Sequence, residues 1–193
     1  MRNFVLASQS PRRQELLNAL GLSFRILIDT SPETADFTKS PKEIVKELAL
    51  QKAQNVFSDC KKEEIILSAD TMVTLNGVIF GKPDNQENAR EMLKTLSGNT
   101  HEVYTGFCIM DKEQEKIHTD YECTQVTFKN LSNDEIESYI STGEPLDKAG
   151  AYGIQGLGSL FIEKINGDYY NVMGLPLCKL GKILNTEFEI SIL

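Results

Sequence analysis

The sequence predicts a mixed α/β fold, because short apolar runs alternate with amphipathic segments along all 193 residues. Two local signals support this prediction. Capping boxes, in which a glutamate follows a serine three positions later, mark helix starts at Ser40 and Ser132. The pair Asn76-Gly77 between apolar runs is typical of a tight turn between strands. We expect one domain over residues 1–193, with a cleft between two lobes.

The elements of the first half follow from turn residues and helix caps. Ser10 and Ser40 each precede a proline, and a serine N-cap followed by proline favours a helix start. The expected order is a buried strand Phe4–Ala7, a helix from Pro11 that Gly21 ends, a strand Phe24–Ile28, a helix from Pro41 to about Phe57, a strand beginning Ile65–Leu67, and a strand Val78–Phe80.

The second half continues the alternation. A helix opened by Asp84 with Glu87 and closed by Gly98 has an apolar stripe at helical spacing. Its buried side chains are expected to be Ala89, Met92, Leu93 and Leu96. After it we expect paired strands Val103–Met110 and Tyr121–Phe128, a helix from Ser132 through Ile140, a glycine-rich segment Gly143–Gly158, a hairpin of Leu160–Ile165 and Tyr169–Val172 about Asn166-Gly167, and a helix from Pro176.

Composition limits the classes of partner. The net charge of −8 argues against binding nucleic acid over the general surface, so an anionic ligand requires a local basic cluster. The chain has no run of about 18 apolar residues, so no membrane span is expected. The apolar stretch after Met1–Asn3 is too short for a signal peptide, which favours the cytoplasm.

Cysteine and histidine usage predicts neither disulfides nor a histidine-rich metal site. The four cysteines are widely spaced and form no CxxC pair, so we expect reduced thiols. The two histidines, His101 and His118, leave little room for a Ser-His-Asp triad.

The segment Ser8–Arg13 follows the first strand and opens the first helix. Arg12 and Arg13 lie in the first helical turn, where the helix dipole is already positive, so an anion would offset their placement. Backbone N–H groups, the hydroxyls of Ser8 and Ser10, and two guanidinium groups together suit a phosphate. The alternative is two solvated arginines at a helix start.

Three further charged residues stand out. Lys52 lies on the inward stripe of the second helix and needs an anionic partner or a route to water. Asp70 follows an apolar strand, where it could hold a divalent metal, position a water, or cap a turn. Lys82 follows the predicted Asn76-Gly77 turn, which returns the chain towards Asp70. It could neutralise a phosphate or lie exposed in a loop.

The segment Glu144–Gly158 is rich in glycine, which allows a backbone to approach a ligand closely. Gln155 has a donor and an acceptor on one amide, the pattern that meets a base edge with adjacent carbonyl and N–H groups. The glycines could equally serve an irregular crossing without a ligand. Together, the basic groups, the carboxylate and the amide favour a phosphorylated small molecule.

Several motifs resemble those of the Maf family. They are Leu6–Leu17, Ser68–Thr71, Gly81–Pro83, Leu96–His101, Asp147–Gly158 and Asn171–Pro176. The resemblance implies an inosine-triphosphatase-like fold, with a mixed, elongated sheet, flanking helices and a central cleft. It also implies hydrolysis of a nucleoside triphosphate between the α- and β-phosphates, with a divalent metal, Mg²⁺ or Mn²⁺.

The resemblance implies roles for individual residues. Asp70 is the expected proton acceptor, and the expected catalytic residues are Asp70, Glu33 and Lys82. Asp70 and Glu33 are also the expected metal ligands. The expected phosphate contacts are Ser8, Arg13, Lys52 and Lys82. The positions expected to separate subfamilies are Arg12, Thr71 and Gln155.

The segment Gly153–Gly158 is similar to the branch of the family that acts on dTTP and UTP. The branch that prefers 7-methyl-GTP usually has a glutamate at the position of Gln155. The resemblance therefore implies water attack at the α-phosphorus of dTTP or UTP, and it also implies a homodimer. Two alternatives stay open: an enzyme that removes modified pyrimidine triphosphates, and a nucleotide-binding regulator of cell division and septum formation.

Overall fold

In the residues that the structure describes, seven strands form a mixed sheet flanked by helices, which confirms the predicted α/β class. The structure is a computed structural model that describes residues 2–28 and 30–193. Met1, part of the N-terminal stretch considered above, lies outside the described residues. In the described part of the chain, no helix is long and apolar enough to cross a membrane.

The helices and strands follow the predicted order closely. The strands are β1 (Phe4–Leu6), β2 (Phe24–Ile26), β3 (Ile65–Leu75), β4 (Val78–Phe80), β5 (Thr100–Asp111), β6 (Lys116–Phe128) and β7 (Ile162–Asn166). The helices are α1 (Pro11–Ala19), α2 (Pro41–Val56), α3 (Gln86–Leu96), α4 (Asn133–Ser141), α5 (Tyr169–Met173) and α6 (Leu177–Phe188). Short 3₁₀ helices cover Phe57–Asp59, Glu144–Asp147, Ala149–Ala151 and Gly156–Phe161.

The strand order is β2-β1-β3-β5-β6-β7, with β4 paired to β3. Strand β1 runs parallel to both β2 and β3, and Leu6 pairs with Ile26 and with Leu67. Strands β3 and β4 are antiparallel, as are β6 and β7. Because β1 and β3 run in the same direction, the residues that follow Leu6 and those that follow Leu67 lie at the same end of the paired region.

The chain divides into two compact units. The first unit comprises Met1–Asp70, Thr105–Glu122 and Gly174–Leu193, and the second comprises Thr71–Tyr104 and Cys123–Met173. The single domain over residues 1–193 and the cleft between two lobes stay predictions.

In the first unit, helix α2 packs against the sheet. Ala49 and Ala53 of α2 are fully buried and share one apolar cluster with Ile66 of β3. A Cβ atom at Gly106 of β5 would lie 2.3 Å from the carbonyl oxygen of Val45. Helix α2 therefore approaches β5 so closely that only glycine fits, a constraint that no local pattern in the sequence reveals.

The second unit has an aromatic core. Phe128 of β6 makes edge-to-face contacts with His101, Tyr152 and Phe161. Three of the four side chains predicted to form the apolar stripe of α3 are buried, and Met92 is partly buried against the same cluster. The amphipathic pattern thus correctly predicted which face of α3 contacts the core.

The predicted start of α3 and one predicted strand are wrong. Helix α3 has Asn85 as its N-cap, and the Asn85 side chain accepts a hydrogen bond from Asn88 N at 2.9 Å. The expected N-cap Asp84 lies one residue too early. The segment Tyr169–Val172 is helical rather than the second strand of a hairpin. Strand β7 pairs with β6 instead, and the Asp168 side chain accepts from Tyr170 N at the start of α5.

The cysteines agree with the sequence prediction. All four are thiols, with Cys60 and Cys108 buried and Cys178 exposed. Burial raises the pKa of Cys108 to about 12, so this thiol is unreactive in the folded chain.

Candidate active site

The parallel pairing of β1 with β3 places the first predicted site residues. Ala7 N donates to Leu67 O at 2.8 Å, and Ser8 follows directly. Asp70 lies three residues after Leu67. Strand β3 continues to Leu75, so Asp70 lies within a strand. The prediction that Asp70 follows the end of a strand is therefore wrong. All residues of β3 are buried except Asp70 and Thr71, which are partly accessible.

Lys52 of α2 lies between two carboxylates. Its Nζ donates to Asp70 Oδ1 at 2.5 Å and lies 3.3 Å from Glu33 Oε1. Ser68 Oγ donates to Ala49 O at 2.5 Å, which holds α2 against β3 next to this contact. The alternative that Lys52 only reaches out to water is therefore wrong, because its ammonium group pairs with anionic partners.

Glu33 reaches this position through its neighbour. Thr34 N donates to Gln51 Oε1 at 3.2 Å, and Gln51 Nε2 donates back to Thr34 O at 2.8 Å. Because Gln51 precedes Lys52 in α2, these two hydrogen bonds bring Glu33 to the lysine. The Glu33 side chain is 44% exposed, so it is accessible to a ligand. Only the family resemblance pointed to this residue in the sequence.

Arg13 is buried and held at two nitrogens. Its Nε donates to Gly174 O at 2.7 Å, and its Nη1 donates to Ser8 Oγ at 2.9 Å. Ser8 Oγ also accepts from Ser10 N at 3.2 Å. The alternative of a solvated arginine is therefore wrong for Arg13, whereas Arg12 is only partly buried.

Sequence reasoning missed the role of Gly174 in this arrangement. The segment Asn171–Pro176 stood out only as a family motif, and its contact with Arg13 spans 161 positions. The local signal in the sequence is the glycine itself, because glycine tolerates the positive φ of 111° that Gly174 adopts.

The charges in this part of the first unit influence one another. Burial lowers the pKa of Arg13, and the nearby charges of Asp70 and Glu33 act in the opposite direction. These residues therefore lie in one electrostatic neighbourhood. We call this set the Asp70 cluster; its members are Ser8, Arg13, Glu33, Lys52 and Asp70.

Three other predicted residues belong to the second unit: Thr71, Lys82 and Gln155. Lys82 and Gln155 are exposed, and Thr71 is partly buried. Gly150 N donates to Gly81 O at 3.0 Å, so the segment with Lys82 contacts the glycine-rich segment.

Internal packing accounts for glycines of the glycine-rich segment. A Cβ atom at Gly158 would lie 2.6 Å from Gly153 O. At Gly156, which has a φ of +69°, it would lie 2.9 Å from the carboxylate oxygens of Glu144. These glycines let the segment fold tightly on itself, which was the alternative to close approach by a ligand.

The donor set limits which metal could bind. In the part of the chain that the structure describes, no group of three or more His, Cys, Asp or Glu side chains could hold a metal ion. Asp70 and Glu33 both lie within 3.3 Å of the same lysine nitrogen, so their oxygens reach a common volume. Two carboxylates fit a hard cation such as Mg²⁺ when phosphate oxygens and water supply the other ligands.

Fold and site together define a mixed α/β protein with a lysine paired to two carboxylates and a buried arginine close by. Residues 3–187 match the family model described as Maf-like protein. The chain belongs to the Maf family.

The relatives extend along the whole chain. A dTTP/UTP pyrophosphatase from Alkaliphilus metalliredigens (strain QYMF) is 48% identical over 193 residues, with 100% of both chains covered. A dTTP/UTP pyrophosphatase from Bacillus cereus (strain B4264) is 50% identical over 192 residues, covering 100% of this chain and 98% of the relative. Among solved structures, a HAM1 protein from Coxiella burnetii aligns with 66% of this chain and 73% of its own, at 19% identity and a TM-score of 0.45. The family assignment rests on the sequence matches and not on this structural likeness.

Proposed function

We propose that this protein is a nucleoside triphosphate pyrophosphatase that hydrolyses dTTP and UTP to the monophosphate and pyrophosphate. The observation that carries the proposal is the Asp70 cluster, found in a chain that is 48% identical over its full length to a dTTP/UTP pyrophosphatase. The cluster combines cations for a polyphosphate with a carboxylate that can take a proton.

Asp70 is the proton acceptor in this proposal. Its side chain is 16% exposed, so water can reach the carboxylate, and Lys52 holds Oδ1 in place. A carboxylate fixed in this way can accept the proton of a water that attacks the α-phosphorus. Glu33, on the other side of Lys52, assists in orienting that water or in holding a metal.

Arg13 binds phosphate from a preset position. Gly174 and Ser8 already hold two of its nitrogens, so little reorganisation is needed when the substrate arrives. Lys52 and Lys82 supply further positive charge, which would stabilise the negative charge that develops on the pyrophosphate leaving group. Ser8 adds a hydroxyl next to the Arg13 guanidinium.

Asp70 and Glu33 would hold the metal that the family resemblance implies, Mg²⁺ or Mn²⁺. When bound, such an ion would acidify water and neutralise phosphate charge. Lys52 contacts both carboxylates, so the lysine keeps the two anionic groups together.

Gln155 recognises the base. Its exposed amide has a donor and an acceptor that match O4 and N3–H of uracil or thymine. Arg12 and Thr71 occupy the other two positions that distinguish the subfamilies. The proposal also includes a cytoplasmic location, a homodimer and no nucleic-acid partner, the last supported by the net charge of −8.

A panel of triphosphates tests the proposal. Purified protein is incubated with dTTP, UTP, CTP and 7-methyl-GTP, with Mg²⁺, with Mn²⁺ or with a chelator, and pyrophosphate is measured. We expect pyrophosphate from dTTP and UTP only when metal is present. Release of orthophosphate alone would contradict the proposal. Nucleotide binding without turnover would favour the cell-division regulator, and a strong preference for modified pyrimidines would favour the enzyme that removes them.

A further inference from the structure

A carboxylate from elsewhere in the second unit caps the 3₁₀ helix Gly156–Phe161. Glu144 Oε2 accepts a hydrogen bond from Leu157 N at 3.1 Å, and Oε1 accepts from Gly158 N at 3.2 Å. N–H groups in the first turn of a helix have no partner within the helix. The side chain of the N-cap residue usually supplies that partner.

The N-cap residue here is Gln155, and its side chain makes no capping hydrogen bond. Because Glu144 satisfies the first-turn N–H groups, the Gln155 amide is left available to a ligand, and the residue is exposed. A Cβ atom at Gly156 would lie 2.9 Å from both oxygens of Glu144. The chain that leaves Gln155 therefore passes directly over this carboxylate.

Tyr139 of α4 holds the same carboxylate. Its buried hydroxyl donates to Glu144 Oε1 at 2.9 Å and accepts from Gly153 N at 3.3 Å. Burial, together with this donation to Glu144, raises the pKa of Tyr139 above its usual range, so the hydroxyl stays a donor. The backbone is thus tied to one pair of side chains both before Gln155, at Gly153, and after it.

We propose that Glu144, together with Tyr139, is a positioning residue for pyrimidine recognition. It fixes the Gln155 loop, residues 153–158, so that the Gln155 amide is presented in one orientation to the base of dTTP or UTP. This inference rests on the proposed function, because it takes Gln155 as the residue that recognises the base. Glu144 acts through Gln155, so its loss weakens substrate recognition through that residue alone.

A double-mutant cycle tests this coupling. Glu144→Gln preserves size but replaces one acceptor oxygen with an amide donor that faces an N–H or O–H group. We expect it to lower kcat/KM for UTP about tenfold, mainly through KM, since the cost is that of about one hydrogen bond. In a Gln155→Ala background, the same change should have almost no further effect, because the residue that it positions is already missing. Tyr139→Phe, which removes only the hydroxyl, should behave like Glu144→Gln.

Glu135→Gln is the matched control. Glu135 closes the capping box of α4 by accepting from Ser132 N at 2.8 Å, and it also pairs with Lys129 Nζ at 2.5 Å. Its loss therefore costs at least as much local hydrogen bonding, but outside residues 153–158. We expect it to leave kcat/KM for UTP unchanged.

The possible results separate the two proposals. The positioning role is overturned if Glu144→Gln has no effect on kcat/KM for UTP. It is also overturned if Glu144→Gln lowers kcat/KM by the same factor in the wild-type protein and in the Gln155→Ala variant. If the wild-type protein releases no pyrophosphate from UTP, the proposed function itself fails, and this inference fails with it.

Discussion

At the scale of single residues, the contact between Lys52 and Asp70 decides what the site can do. The 2.5 Å distance from Nζ to Oδ1 makes this carboxylate part of an ion pair, and Glu33 lies within 3.3 Å of the same nitrogen. Removing one partner from a partly buried pair leaves the other poorly compensated. Because both side chains keep some access to water, that cost is limited, and substitutions here should affect catalysis more than folding.

Asp70→Asn should abolish most turnover while the fold persists. The amide cannot accept a proton from water, and the expected loss in kcat is on the order of 10²–10⁴. Steady-state pyrophosphate release measures the loss, and circular dichroism melting checks the fold. Asp36→Asn is the control, because Asp36 is exposed and its carboxylate accepts from Thr38. Near-normal kcat in Asp70→Asn would refute the role assigned to Asp70.

Gln155→Glu should shift the choice of substrate. The carboxylate has no donor for O4 of uracil or thymine and carries a charge that suits a cationic purine such as 7-methyl-GTP. We expect kcat/KM for dTTP and UTP, relative to 7-methyl-GTP, to fall about tenfold or more. Gln114→Glu introduces the same charge at an exposed site and should leave the ratio unchanged. An unaltered ratio in Gln155→Glu would rule out base recognition by this amide.

At the scale of elements, the approach of α2 to β5 determines where Lys52 lies. Gly106→Ala would place a Cβ atom 2.3 Å from Val45 O, which is backbone and cannot rotate away. We expect a loss of about 1–3 kcal/mol in the free energy of unfolding, as for other overpacked interiors. Urea denaturation measures this loss.

Gly181→Ala in α6 is the matched substitution. A Cβ atom there comes no closer than 4.0 Å to its neighbour, so it should be neutral or should stabilise by up to about 1 kcal/mol through helix propensity. Equal free energies of unfolding for the Gly106 and Gly181 variants would show that the α2–β5 contact is not tight.

His101, the second residue of β5, also makes the change of stability in acid predictable. Burial lowers the pKa of His101 from its ordinary value of 6.5 to about 4, and His101 Nε2 lies 2.7 Å from the Tyr152 hydroxyl. Between these two pH values the unfolded chain binds more protons than the folded chain, so stability falls as pH falls from 6.5 to 4. We expect this component to be on the order of 1–3 kcal/mol.

Denaturation series at several pH values test this component. His101→Phe keeps a ring but cannot titrate, so its stability should fall less steeply across the same range. His118→Gln retains His101 and should retain the component. Parallel pH dependences for the wild-type protein and His101→Phe would contradict the assignment to His101.

At the scale of the whole molecule, the balance of charge separates candidate ligands. A net charge of −8 repels a nucleic-acid backbone, yet Arg13 and Lys52 offer local positive charge to a small polyphosphate. We expect no change in the fluorescence anisotropy of labelled duplex DNA or single-stranded RNA, even at low salt. Binding that weakens steeply with added salt would contradict this expectation.

Much of the fold was predictable because it depends on neighbouring residues. The capping boxes at Ser40 and Ser132 both form, and the Asn76-Gly77 turn joins β3 to β4. The failure at Tyr169–Val172 has a physical cause. A short apolar segment is compatible with either a strand or a helix. Here β7 pairs with β6, and Asp168 caps the segment that follows, so Tyr169–Val172 forms a helix.

The sequence by itself determined the order of elements as far as β7, the apolar face of α3 and most residues of the candidate site. Only the tertiary structure decided that Lys52 pairs with Asp70 and Glu33, that Gly174 holds Arg13, and that Glu144 caps the helix after Gln155. Caps, turns and amphipathic stripes involve residues a few positions apart, so local chemistry specifies them. Side chains far apart in sequence meet only where strand order and helix packing bring them together, and that arrangement depends on the whole chain at once.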